Sequence, residues 1–249
     1  MNILFETTAD GDLYINWLLS GLYWTLALAL SAACLSFILG VSVGIARNSR
    51  NIIVAILGRL YVQVFRNVPL IVQMFLWYFV APDLLPTAWG DAVKQLGPPW
   101  GSFWPALICL SLYTGARVAE QIKSGLASIA KGQSEACEAL GLSTAERYRK
   151  VLLPQALRVV IPTLTSEAMG VFKNTSVALT IGLVELTSQA QQINEFTYQT
   201  FAAFSAATVC YMGLALLVYT VMSMVERAMR VPGMAGLGKQ AIAKGAKNA

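Results

Sequence analysis

From Trp17 to Ala46 no residue carries a charge, and this one stretch limits the chain more than any other feature. Roughly 20 apolar residues cross a hydrocarbon core, so the run spans a bilayer with tilt or overhang to spare. Further apolar runs follow at about 57–80, 103–122, 162–184 and 201–225. Only 12% of the 249 residues are charged, about half the usual share of a soluble domain. The expectation is an all-α polytopic membrane protein with five spans. A periplasmic segment 1–16 precedes them and a disordered tail 231–249 follows.

The runs differ in detail. Trp17, Tyr23 and Trp24 suit an interface at the start of the first run, and Gly40 with Gly44 forms a GxxxG that permits close helix approach. The second run begins at Ile52 as an interfacial amphipathic stretch and continues as a span over about Leu57–Val80, kinked at Pro69. Ala81 to Gly101, rich in Pro, Gly and Trp, reads as a surface loop. The third run is uncharged only from Phe103 to Ala116, which is short of a crossing. Arg117 and Glu120 are therefore expected inside the membrane's cytoplasmic half or at its edge. In the fourth run, helical spacing sets Ser166, Lys173, Ser176 and Thr180 on one face, either as a polar path or as glue between helices.

Several chemistries are set aside by composition. There is no histidine, which removes the commonest metal ligand and general base, and no GxxxxGK[ST] loop to hold nucleotide phosphates. The four cysteines are scattered without CxxC spacing and read as small apolar residues, so no metal site is expected. The first sixteen residues contain no Lys or Arg, so the basic start of a cleavable signal is missing and the first span is expected to remain as an anchor. Basic residues cluster on alternate sides of the runs. Arg47 and Arg50, then Lys123, Lys131, Arg147, Arg149, Lys150 and Arg158, then the residues after Val225 fall on one side, against Lys94 on the other. The positive-inside rule places the N-terminus outside and the C-terminus in the cytoplasm. Topology thus accounts for the net charge of +5 without a nucleic-acid partner.

The one long polar passage, Lys131 to Arg158, then faces the cytoplasm. Ser134 is placed to cap a two-turn helix ending at Leu140, with Glu135 facing its positive dipole end. Gly141 suits the left-handed stop after it. Ser143 with Glu146 makes a capping box for a second helix, which Pro154 breaks or kinks. Two short helices joined by a sharp elbow are expected, a rigid element able to transmit a partner's movement.

Glu135-Ala136, Gly141, Val151 and Leu153-Pro154 fall at the spacing of the EAA loop, the signature of ABC importer permeases, with Cys137 in place of its second alanine. Phe65-Arg66-Asn67-Val68-Pro69-Leu70-Ile71-Val72-Gln73 and Lys173-Asn174-Thr175-Ser176, followed by Glu185-Leu186, resemble motifs of the polar amino acid permeases. Ala116-Arg117-Val118, Glu120-Gln121, Thr165-Ser166-Glu167 and Val231-Pro232-Gly233 are similar to the glutamate/aspartate branch of that family.

The resemblance implies the type I importer (MetI-like) fold in a bacterial inner membrane, with the elbow as a coupling helix. It also implies two cytoplasmic ATPases that use ATP and Mg, a periplasmic solute-binding protein, and a second permease, by preference a sister chain and otherwise an identical copy. This chain would bind no cofactor and perform no catalysis. Glu135, Ala136, Gly141, Leu153 and Pro154 would couple to the ATPase, and Arg66 and Pro69 would be structural. Arg117, Glu120, Ser166, Lys173, Asn174, Ser176 and Thr180 are the candidates for the substrate path. Arg117 has two readings: it attracts the carboxylate of an acidic amino acid through its guanidinium fork, or it pairs with Glu120 three residues on. A permease for glutamine or a basic amino acid, an ion-driven secondary transporter and a membrane scaffold are the alternatives.

Overall fold

The computed structural model describes residues 6–7, 11–49 and 51–229. Residues 1–5 and 8–10 of the N-terminal segment, Arg50, Arg230 and the tail 231–249 lie outside them. The two longest helices are α1, Tyr14–Ala46, and α10, Thr200–Met229, and both are long and apolar enough to cross a membrane. Beside α1 runs α5, Trp100–Ala127, in the same direction. The GxxxG sets their separation. A Cβ on Gly40 would lie 2.5 Å from Val118, and one on Gly44 would lie 2.7 Å from Ile122. Between helices in lipid the attraction is packing rather than expulsion of water, so this close approach is the contact that holds the pair.

The second run is not one straight helix. Helix α2, Ile52–Asn67, is capped by Asn51, whose side chain accepts from the Ile53 and Val54 amides. The chain then bends by 106° into α3, Leu70–Phe75, which runs on as a π-turn to Val80 and a 3₁₀ turn to Leu84. Pro69 accounts for a break but not for its size. Val68 is extended, and the Gln73 amide donates to the carbonyls of Phe65 and Val68 at 3.0 and 2.8 Å. Those bonds replace helical donors at the end of α2, so the sharp turn leaves few carbonyls orphaned. The stretch expected as loop also contains a short helix, α4, Thr87–Lys94.

Two connected helices, α6, Lys131–Ala139, and α7, Thr144–Glu146, form the elbow. A π-turn, Arg147–Leu152, then leads without interruption into α8, Leu153–Asn174. Pro154 therefore does not break the second helix. Lacking an N–H, it sits in the first turn of α8, and the wider turn before it absorbs the mismatch. The fourth run likewise stops early as an α-helix. After Asn174 a 3₁₀ turn, Thr175–Ile181, ends at Gly182 with φ of 81°. A further helix, α9, Leu186–Thr197, buries Leu186, Ala190 and Ile193 against α1 and α10.

Leu28, Leu110, Val171 and Leu183 centre the main core between α1, α5 and α8, while Ile122, Leu126, Ala156 and Val160 pack its far end beneath the elbow. The described residues are nearly all helical, as expected. By length α5 and α8 reach roughly 42 and 33 Å at 1.5 Å per residue. Their charged residues set them apart from α1 and α10.

Candidate functional site

Charged side chains converge where α5 faces α8 and α2. Arg117 on α5 donates from Nε and Nη2 to the two carboxylate oxygens of Glu167 on α8, at 2.6 and 3.1 Å. The Gln121 amide, one turn along α5, donates to the same carboxylate at 2.9 Å. Arg117 therefore does not pair with Glu120, although the two share a helix. Glu120 turns instead toward Arg47 at the end of α1, at 2.8 Å, and Arg66 on α2, at 3.2 Å. Three residues along a helix is about 300° of rotation, so each side chain meets a different neighbour. Arg66, expected as a structural residue, helps lock three helices together. Pro69 sits at the bend that brings α2 to that point.

The Arg117 pair leaves chemistry unused. A guanidinium has two forked edges, and Glu167 takes only the Nε/Nη2 one. Arg117 is 46% exposed and Glu167 13%, so the cation faces outward from its buried partner. The Tyr113 ring lies 5.9 Å from the guanidinium carbon and backs it on one side. Gln121 adds an acceptor that the sequence did not reveal: its carbonyl oxygen is buried and has no hydrogen-bond partner among the described residues. A donor fork and an unpaired acceptor lie four residues apart on one helix. That spacing was readable in the sequence, but the orphaned oxygen is visible only once Glu167 is seen to take the amide hydrogens.

The expected polar face of the fourth run is realised in part. Ser166 and Lys173 are exposed and share one side of α8. Beyond Asn174 the 3₁₀ geometry replaces 3.6 residues per turn with 3.0 and shifts the register. Ser176 and Thr180 are turned to local work, their hydroxyls donating to the carbonyls of Lys173 and Val177 at 2.7 Å each. Lys173 has no carboxylate within ion-pair reach among the described residues. Arg47 and Arg66 share the carboxylate of Glu120 with Lys123 near it, Arg117 has Glu167, and Lys173 has none in reach among the described residues, so positive charge is in excess along this side of the bundle.

The elbow is built from local contacts. At its turn Gly141 has φ of 73°, with the Gly141 amide on Glu138 O and the Leu142 amide on Cys137 O, a Schellman stop. Ser143 and Glu146 form the expected capping box, and Lys150 reaches back to Glu146 at 2.8 Å. The Lys150 ammonium, with the Ser143 hydroxyl and amide, holds the Glu146 carboxyl at about 2. Across the turn Arg147 is ion-paired to Glu138. Helix α6, however, starts at Lys131 with Ala130 as its cap, so Ser134 caps nothing and Glu135 lies in the second turn, away from the positive end. Glu135 and Ala136 are exposed, Leu140 is 79% exposed, and Cys137 is buried, which leaves an outer face free for a partner. Leu153 and Pro154 are half-buried at the root of α8, and Leu153 packs against the core there.

A helical bundle with an apolar exterior, a charged seam and a capped elbow outside it is the anatomy of a membrane translocation subunit. The relatives agree. Residues 36–231 match the family described as the inner membrane component of binding-protein-dependent transport systems. The glutamate/aspartate import permease GltJ of Escherichia coli strain K12 is 42% identical over 224 residues, 90% of this chain and 91% of that one. The nopaline permease NocM of Agrobacterium fabrum is 34% identical over 213 residues, covering 84% and 86%. Among solved structures, an amino acid ABC transporter with histidines superposes with a TM-score of 0.71 at 28% identity, over 86% of this chain and 95% of that one. The methionine transporter MetNI in an inward-facing form, at 0.71 and 20%, shares the fold. The chain belongs to the family of binding-protein-dependent transport system inner membrane components. It is the permease subunit of an ABC importer, with ATP hydrolysis carried by a separate subunit.

Proposed function

We propose that this permease carries acidic amino acids, glutamate and aspartate, inward across the bacterial inner membrane. The observation that carries the reading is the 42% identity to a glutamate/aspartate permease along nine-tenths of both chains. The charged seam supplies a physical basis. A substrate side-chain carboxylate would dock end-on at the Nη1/Nη2 edge of Arg117, whose position Glu167 and Tyr113 hold. The Gln121 oxygen would accept from the substrate ammonium, and Lys173, about six residues and roughly 9 Å further along α8, would draw the anion in. Cationic excess along the path lowers the cost of desolvating an anion and rejects basic amino acids.

Five spans, with the N-terminus periplasmic and the C-terminus cytoplasmic, complete the proposal. The elbow then faces two ATPases, whose ATP-driven closure pushes on Glu135, Ala136 and Gly141 and swings the bundle between inward and outward states. A periplasmic binding protein delivers substrate, and a sister permease provides the other half of the path. The test is uptake by reconstituted importer carrying Arg117→Gln. Affinity for glutamate is expected to fall at least tenfold, with a reduced preference for glutamate over glutamine. Unchanged affinity and preference would remove Arg117 from the path.

A further inference from the structure

Among the described residues Glu185 is the only acidic side chain that is fully buried, at 0% exposure. It sits where the turn after α8 gives way to α9. As the cap of α9 it accepts from the Thr187 and Ser188 amides at 3.0 and 2.9 Å. A cap alone does not call for glutamate, since the shorter Asp, Asn and Ser are preferred there. The extra methylene reaches further. The Tyr211 hydroxyl on α10 donates to the same carboxyl group at 2.6 Å, and Thr187 Oγ1 stands 3.1 Å from that hydroxyl. The adjacent Leu186 amide donates to the Thr25 hydroxyl on α1 at 3.1 Å, and Ser102 on α5 donates to the Ile181 carbonyl at 2.7 Å. Residues 181–186 are thus tied to α1, α5 and α10.

Thr25 and Tyr211 each stand eleven residues, roughly 16 Å, inside the starts of α1 and α10, well within two apolar helices. An ionisable group at such depth is costly and calls for a role. The Arg117–Glu167 pair is half exposed on its cationic side, so its members can part into a polar surrounding. Parting the Glu185 bonds would leave a carboxyl group without partners in an apolar interior, so this knot holds while other contacts shift. Helix α8 gives the knot its use. The π-turn of the elbow runs straight into α8, which reaches the turn at Thr175 roughly 33 Å away. It is a lever with the elbow at one end and Glu185 just past the other. We infer that Glu185, through Tyr211, is a positioning residue for transport: it pins the far end of α8 to α1 and α10, so that movement of the elbow tilts α8 about this point instead of sliding it. Lys173 and Asn174, beside the pin, then turn nearly in place, while Glu167, further down the lever, swings against Arg117 on α5. The inference rests on the proposal that the elbow receives the ATPases' movement, and not on the choice of cargo.

The test uses the complete importer reconstituted in liposomes, with a mixture of radiolabelled amino acids as cargo. The readout is the ATP consumed per amino acid imported. Tyr211→Phe removes the cross-helix bond and leaves the cap of α9, and Glu185→Asp keeps a good cap but falls short of Tyr211. Each is expected to raise the ATP consumed per amino acid by about threefold or more, with the thermal midpoint of the assembled complex within about 3 °C of wild type. The double variant is expected to add little to either single one, since both break the same bond. An unchanged ratio in Tyr211→Phe and Glu185→Asp would overturn the inference. So would a loss confined to the amount of assembled complex, the mark of a structural role alone. Gly141→Ala, run in parallel, separates this reading from that of the elbow. Full coupling there beside a raised ratio in Tyr211→Phe would fault the elbow and support the pin; full coupling in Tyr211→Phe beside uncoupling in Gly141→Ala would do the reverse.

Discussion

The elbow and the Arg117 seam are both polar, yet they are held by contacts of opposite kind. In the elbow the bonds that shape the turn are short in sequence: Ser143 to Glu146, Glu146 to Lys150, Leu142 to Cys137 and Arg147 to Glu138 span three to nine residues. In the seam, Arg117 to Glu167 and Arg47 to Glu120 span 50 and 73. A coupling element docked against a separate subunit has to keep its own form as that subunit moves, and local bonds provide this. A path that opens and closes is better built from bonds between helices, since moving the helices remakes them. The difference separates what transmits force from what responds to it.

That contrast can be broken from either side. Gly44→Leu strikes the interhelical side hardest, because a Cβ alone meets Ile122 at 2.7 Å. Overpacking is expected to cost about 1–3 kcal/mol, read as loss of monodisperse permease in detergent, with the isolated elbow peptide unaffected. Arg117→Gln with Glu167→Gln, run as a double-mutant cycle on thermal unfolding, is expected to give a coupling of about 1 kcal/mol, reduced because Arg117 is half exposed. A coupling near zero would mean that the seam is not held by this pair. On the local side, Gly141→Ala introduces no clash but must hold φ at 73°. It is expected to cost about 1 kcal/mol and to uncouple ATPase activity from uptake without loss of membrane insertion. Full coupling would show that the partner tolerates another turn.

The smallest effect is in pH. The Glu146 carboxyl is held at about 2 by Lys150 and Ser143, below its ordinary 4.5. A depressed carboxyl adds stability above 4.5 that fades as pH falls toward 2. Amide protection at the cap, corrected for the intrinsic pH dependence of exchange, is therefore expected to be full at neutral pH and to fall between about pH 4 and 2. In the variant Ser143→Ala that profile should flatten.

How much of this was readable beforehand follows the same division. Gly141 and the Ser143–Glu146 box were legible because a cap depends on a few neighbouring residues and one backbone angle. The GxxxG at Gly40 and Gly44 was legible as a capacity for close approach, though not its partner. Helix α9 could have been found from Leu186, Ala190 and Ile193 at helical spacing after a capping Glu185, but the search for long apolar runs passed over it. The cap assigned to Ser134 failed because Lys131 to Gln133 prolong the helix without a strong stop. The kink at Pro69 was legible, but not its size: Gln73 lets the chain turn by 106° through a bond between residues flanking the break that no periodicity reports.

By itself the sequence determined that this chain is a helical membrane protein with a preformed elbow, since hydropathy, proline, glycine and capping act within a few residues of where they stand. Only the tertiary structure decided the partners of its charges. Arg117 lies three residues from Glu120 and fifty from Glu167, and it bonds the distant one. In a helix neither nearness in sequence nor charge chooses a partner; the direction in which each side chain leaves its axis does, together with the helix packed there.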